Sequence, residues 1–219
     1  FAKRCDAFFG TEDRFARLQR DIASPVTGPS WYIRWSTEIE PRARVLRSWD
    51  PLLIPGLLQT EDYARALFAG ALAKNADEVE AKVSARLRRQ LILERADSPL
   101  LWVLLDEGVL YRRIGTPMVM AEQLGHLVTA AASPRITIQL VPQDTGCTAG
   151  YLSSFLIAEL SDAPMTVSIE SAGRGEVTAE HGIVTEIWDR YDKLRAEAYR
   201  VPESLQKIKE VQDQWKQKT

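Results

Sequence analysis

The stretch LLIPGLLQTEDYARAL, residues 52–67, leaves the chain little freedom. Pro51 and Pro55 each remove a backbone donor and clash with the preceding helical turn, so no helix runs through them. Leu52, Leu53 and Ile54 read as a short buried run, stopped by the Pro55–Gly56 break. Thr60 then serves as an N-cap, and Glu61 and Asp62 sit against the positive end of the helix dipole. Tyr63, Leu67 and Ala71 share one face of that helix, widened by Ala64 and Phe68. A buried run, a turn and a capped amphipathic helix must follow one another without a gap.

The flanks read as alternating helix and strand. Residues 1–20 carry an amphipathic helical pattern interrupted at Gly10-Thr11. Residues 31–50 hold Trp31, Trp35 and Ile39 at helical spacing, so a helix broken near Pro41 is expected there. After Thr60 the spacing of Val79, Val83, Leu87 and Leu91 predicts a long helix over 77–96. LLWVLLDE, residues 100–107, is a continuous apolar strand, with Val109–Arg112 as its continuation or a hairpin return. Thr116-Pro117 caps a helix that Pro134 stops. ITIQLVP (136–142) and two runs joined as a hairpin at Ser161–Pro164 add strands. SAGRGEV, residues 171–177, reads as a hairpin turn. Two helices close the chain, one over 178–200 and one carrying Leu205, Ile208, Val211 and Trp215. Helices, then strand–helix–strand–strand–strand, then helices predict an α+β fold with a mixed four- or five-stranded sheet packed by helices. An N-terminal helical remnant and C-terminal helices flank the sheet.

Composition narrows the function classes. Of 219 residues, 45% are hydrophobic and 26% charged, enough for a packed core. The net charge of −2 argues against nucleic-acid binding by bulk charge. No apolar run approaches the roughly 20 residues that span a bilayer, so no membrane association is expected. The two cysteines, Cys5 and Cys147, lack metal or disulfide spacing and fit free thiols in a cytoplasmic protein. The chain opens on Phe1 rather than Met and reads as part of a longer protein.

Catalytic motifs are scarce. His126 and His181, the two histidines, have no ligand partners at metal spacing, so no metal and no cofactor is expected. No G-x-S-x-G elbow occurs, and SAGRGEV lacks both the dinucleotide and the P-loop pattern. No catalytic residue is assigned. One polar constellation remains, drawn from Trp35, Gln59, Tyr63, Arg86, Gln90, Glu107 and Arg112, with Arg89 and Arg113 beside it. These side chains converge either on a ligand pocket or on a buried ion-pair network that fixes helix on sheet. Arg14, Arg17 and Arg20 share one helix face and are either auxiliary phosphate contacts or a solvated face.

PGLLQTEDYARA, residues 55–66, resembles the hallmark of a C-terminal domain of unknown function found on actinobacterial XRE-type (Cro/repressor-like) helix-turn-helix transcription regulators. ARLRRQLIL (85–93), LLWVLLDEGVLYRRIG (100–115), EQLGHL (122–127), ITIQLVP and FLIAEL are similar too. The resemblance covers about residues 31–210. It implies three parts: residues 1–24 as the tail of a helix-turn-helix domain, 25–30 as linker, and 31–219 as a regulatory or dimerising body. It further implies DNA binding through the N-terminal domain, a homodimer, a small-molecule effector and a small protein partner encoded nearby. The alternative is a domain recruited as a small-molecule binder or enzyme in a biosynthetic pathway. Two positions depart from the family pattern. Thr148-Ala149-Gly150 stands where relatives often carry His-Pro-Gly, and Ser168 stands where an aromatic is common.

Overall fold

The computed structural model describes residues 2–11, 30–70, 75–171 and 174–218. Arg14, Arg17 and Arg20, and all of the expected linker but Ser30, lie outside them. Seven α-helices and six strands are present among the described residues: α1 Ala2–Phe9, α2 Ser30–Arg34, β1 Ala43–Asp50, α3 Glu61–Gly70, α4 Ala76–Gln90, β2 Leu100–Asp106, α5 Pro117–Ala130, β3 Ile136–Val141, β4 Phe155–Leu160, β5 Thr166–Ser171, β6 Arg174–Thr178, α6 His181–Glu197 and α7 Val201–Lys216. The α+β class is as expected.

The sheet has six strands where four or five were expected, in the order β3-β2-β1-β4-β5-β6. β1, β2 and β3 are parallel, while β4, β5 and β6 continue as an antiparallel meander. The added strand is β1, and it is central. Residues 43–50 were expected to lead out of a helix. Their alternation is instead that of a strand, with Val45, Arg47 and Trp49 on one face and Leu46, Ser48 and Asp50 on the other. The helical spacing ends at Ile39, and a tight turn at Glu40–Arg42 leads into β1.

Several local readings hold. Thr60 Oγ1 accepts from the Tyr63 amide at 3.3 Å, and Thr116 Oγ1 from the Val119 amide at 3.3 Å. Ser171 pairs with Arg174 across the β5–β6 hairpin. Others differ. Residues 107–110 form a 3-10 turn rather than a strand, because the Asp106 carboxylate accepts from the Gly108 amide and turns the chain. The long helix stops at Gln90, and Leu91 is exposed. Leu52, read as buried, is 62% exposed.

The two faces of the sheet are covered differently. α6 lies on one face, packing Ile187, Tyr191 and Leu194 against Trp49, Phe155 and Ile157. On the other face α5 and α7 cover β2 and β3, through Leu124, Leu127, Ile208 and Val211 against Ile138 and Leu140. Among the described residues, the rest of that second face, over β1, β4 and β5, is roofed by residues 51–59, with α4 at the side.

Candidate functional site

The strand register carries one row of side chains across the second face: Ile138, Val103, Ser48, Leu156, Ser168 and Val177. The two serines fall under the roofed half. Each is at most 1% exposed, and neither Oγ has a hydrogen-bond partner among the described residues. A buried hydroxyl without a partner is unfavourable by about 1–3 kcal/mol. Above Ser48 lies a cavity of about 730 Å³, within the range of small-molecule sites. Leu46, Ser48 and Asp50 of β1, Leu156 of β4 and Glu170 of β5 form its floor, and Arg86 and Arg89 of α4 reach its wall.

The roof is the proline-broken stretch of residues 51–59, and glutamines hold it in place. Gln59 Nε2 donates to the Ile54 carbonyl at 2.7 Å. Gln90 Nε2 donates to the carbonyls of Gly56 and Gln59, each at 2.8 Å. Gln123 of α5 donates to the Leu58 carbonyl and accepts from the Thr60 amide, both at 2.7 Å. Tyr63 Oη accepts from the Ile54 amide at 3.3 Å. Backbone polar groups that no helix or strand can pair are thereby satisfied. Gly56 leaves room for the wall, since a Cβ there would lie 2.5 Å from Arg86 Nη1.

The charges are unevenly matched. Glu40, 1% exposed, forms a two-pronged ion pair with Arg89, with Nη2 at 2.6 Å from Oε1. Tyr32 Oη accepts from Arg89 Nη1 at 3.1 Å. Arg86 has no carboxylate partner among the described residues. Its Nη1 donates to Gln59 Oε1 at 2.7 Å, and its Nε is buried without an acceptor. Burial holds its pKa below the usual arginine value. Asp50 Oδ2 is likewise buried without a donor. Burial pushes Asp50 up to about 7, and the negative charge of Glu170 adds to the rise. The Ser48 hydroxyl lies near enough to favour the ionised form, yet makes no hydrogen bond of good geometry. Glu170 is raised by the same burial, partly offset by Arg89 and Arg86.

Of the seven ligand candidates, Gln59, Arg86 and Arg112 line the cavity. Arg112 sits at the rim and donates to the carbonyls of Pro51 and Leu52. Tyr63 and Gln90 support the roof from behind. Trp35 is core, its Nε1 donating to Glu40 Oε1 at 3.3 Å. Glu107 faces α7 and pairs with Lys207 at 3.5 Å, away from the cavity. The buried ion pair that forms here, Glu40–Arg89, takes its carboxylate from outside the constellation, and the cavity lies beside it. Sequence alone does not point to Ser48 and Asp50 as site residues because residues 43–50 read only as a lead from a helix into the 52–67 stretch, with no strand assigned to them. The alternation of ARVLRSWD was the signal that could have found them. Ser168 and Glu170 alternate with Val167 and Ile169 in the same way. Of the two departures, Ser168 lies beside Leu156 on the floor's face; Thr148 and Ala149 are not among the lining residues, although Gly150, the glycine shared with the relatives' pattern, lines the wall.

A family model, Domain of unknown function (DUF5753), matches residues 34–210. The chain belongs to this family. The matched span runs from just before Trp35 to the middle of α7, so it takes in every strand of the sheet, the glutamine-held roof and all of the cavity lining but Tyr32. No curated protein and no solved structure matches the chain. Within this DUF5753 domain no described helix is long and apolar enough to cross a membrane.

Proposed function

We propose that this DUF5753 domain is the ligand-sensing body of a cytoplasmic, actinobacterial XRE-type helix-turn-helix regulator. The observation that carries the sensing role is the cavity over β1, whose buried Ser48 hydroxyl and Asp50 carboxylate oxygen lack partners. Unpaired polar atoms at a roomy site are what a ligand with complementary groups would satisfy. The regulator context rests on the resemblance of PGLLQTEDYARA and the segments that follow it. DNA contact would come through the N-terminal domain, with Arg14, Arg17 and Arg20 as auxiliary phosphate contacts. A homodimer and a small protein partner complete the proposal. The full-length protein should retard a DNA fragment carrying its own promoter in a mobility-shift assay. Failure to do so at micromolar protein and low salt overturns the regulator reading.

A second reading is catalysis on a small biosynthetic substrate. The pKa of Asp50, about 7, favours it, because a general base works best near its operating pH. Asp50→Asn separates the two readings. It would abolish turnover by a base, whereas a sensor would still bind neutral ligands.

A further inference from the structure

We propose, on the reading that the cavity binds a small molecule, that its ligand is an organic amine with an apolar body. Its ammonium group sits against Asp50 and Ser48. Three observations lead there. The first is a charge count of the wall. Glu40 is matched by Arg89, and the charges of Asp106 and Arg112 offset one another near the rim, each also bonded to the backbone. That leaves Asp50 and Glu170 facing one unmatched cation, Arg86. With Asp50 ionised the inner wall therefore has one carboxylate in excess, which a monocation evens; with Asp50 protonated the count is already even. An anionic ligand would add to the excess and meet like charge in a desolvated place.

The second observation is the set of unpaired atoms. Ser48 Oγ, at a residue 1% exposed, and Asp50 Oδ2 both have acceptor capacity toward the same space, while the Ser48 hydroxyl proton can turn toward the Asp50 carboxylate. An ammonium carries three donors and no acceptor, so it satisfies both. Arg86 Nε is an unpaired donor on the opposite wall and takes a ligand hydroxyl or carbonyl. The third is the rest of the lining. Leu46, Ile54, Leu57, Leu101, Phe155 and Leu156 surround these few polar groups and fit an apolar body.

The groups that face Asp50 are Glu170 from β5, Arg86 and Arg89 from α4, Tyr63 from α3, Arg112 from the rim and Ser48 from its own strand. Below neutrality Asp50 holds a proton. An arriving ammonium favours the carboxylate, so that proton leaves to the buffer. At pH 6 a carboxyl titrating at about 7 would release about 0.9 proton per amine bound.

Three indoles of one shape and different charge test the idea by calorimetry on the 219-residue chain: tryptamine, indole-3-ethanol and indole-3-acetate. Tryptamine should bind at least tenfold more tightly than indole-3-ethanol at pH 8. At pH 6, titrations in buffers of different ionisation enthalpy should reveal proton release. Asp50→Asn should erase the tenfold preference while still binding indole-3-ethanol, which also shows that the variant folds. Equal or tighter binding of indole-3-ethanol or indole-3-acetate overturns the amine class and leaves the cavity as a ligand site. No binding by any of the three overturns the amine proposal as well. The promoter mobility shift stands apart from both results, so the regulator reading survives or fails independently.

Discussion

One face of the sheet has two halves built on different terms. Over β2 and β3, α5 and α7 sit directly on the strands, and Leu124, Ile138, Leu140 and Ile208 are fully buried. Over β1, β4 and β5 the row continues through Ser48 and Ser168, and, among the described residues, an arch of backbone takes the place of a seated helix. The first half is close-packed and apolar, as protein interiors usually are. The second keeps open volume and unpaired polar atoms under the same roof. The contrast teaches where function can reside: a filled half sets the fold's stability, and that stability carries the unfavourable polar burial beside it.

The comparison can be broken at four points. The largest effect is expected in the packed half. Leu124→Ala should lower unfolding stability by about 3 kcal/mol through lost transfer energy and the void it leaves. Urea denaturation would measure it, and a loss below about 1 kcal/mol would mean that half is not close-packed. In the wall of the open half, Glu40→Gln strands the Arg89 charge in the interior and should cost roughly 3 kcal/mol. The same denaturation series checks this, with Arg89→Met/Glu40→Leu recovering much of the loss.

The third point is pH. Asp50 titrates at about 7 in the folded chain against an ordinary 3.8. The folded state therefore keeps a proton that the unfolded state has already lost between these values. Stability should fall as pH rises from about 4 to about 7 and flatten above, with Glu170 adding to the slope in the same direction. Asp50→Asn should remove much of this slope and stabilise the chain at pH 8 by roughly 2 kcal/mol, read from thermal melts across pH. A variant with an unchanged slope would show that Asp50 is ionised and solvated in the fold. The smallest effect is expected at Ser48→Ala. Deleting an unpaired buried hydroxyl should change stability by less than about 1 kcal/mol, with stabilisation as the favoured sign. A larger loss would mean that the hydroxyl has a structural partner.

The candidate site was partly legible. Gln59 and Arg86 stand in segments whose helical and turn character is local, and the structure brings them to one cavity. Arg89 was legible as charge, but Glu40 was not its evident partner, since 49 residues separate them. Glu107 was drawn toward the site by its place at the end of β2. The Asp106 cap on Gly108 sends the chain the other way, to Lys207. Ser48 and Asp50 were hidden because, past the helical spacing of Trp31, Trp35 and Ile39, residues 43–50 carried no strand assignment and read only as a lead into the 52–67 stretch.

The sequence by itself determined the local grammar: Thr60 and Thr116 as caps, Pro51 and Pro55 as breaks, LLWVLLD as a buried strand, and the apolar faces of α6 and α7. Each of these follows from the backbone geometry and side-chain chemistry of a few neighbouring residues. Only the tertiary structure decided that Ala43–Asp50 is the central strand, with parallel β2 on one side and antiparallel β4 on the other. Only it decided that Gln59, Gln90 and Gln123 hold up one arch, and that Asp50, Glu170 and Arg86 share one cavity. Those outcomes depend on pairings between residues distant in sequence. Their energies come from register, burial and charge balance, which no local window contains.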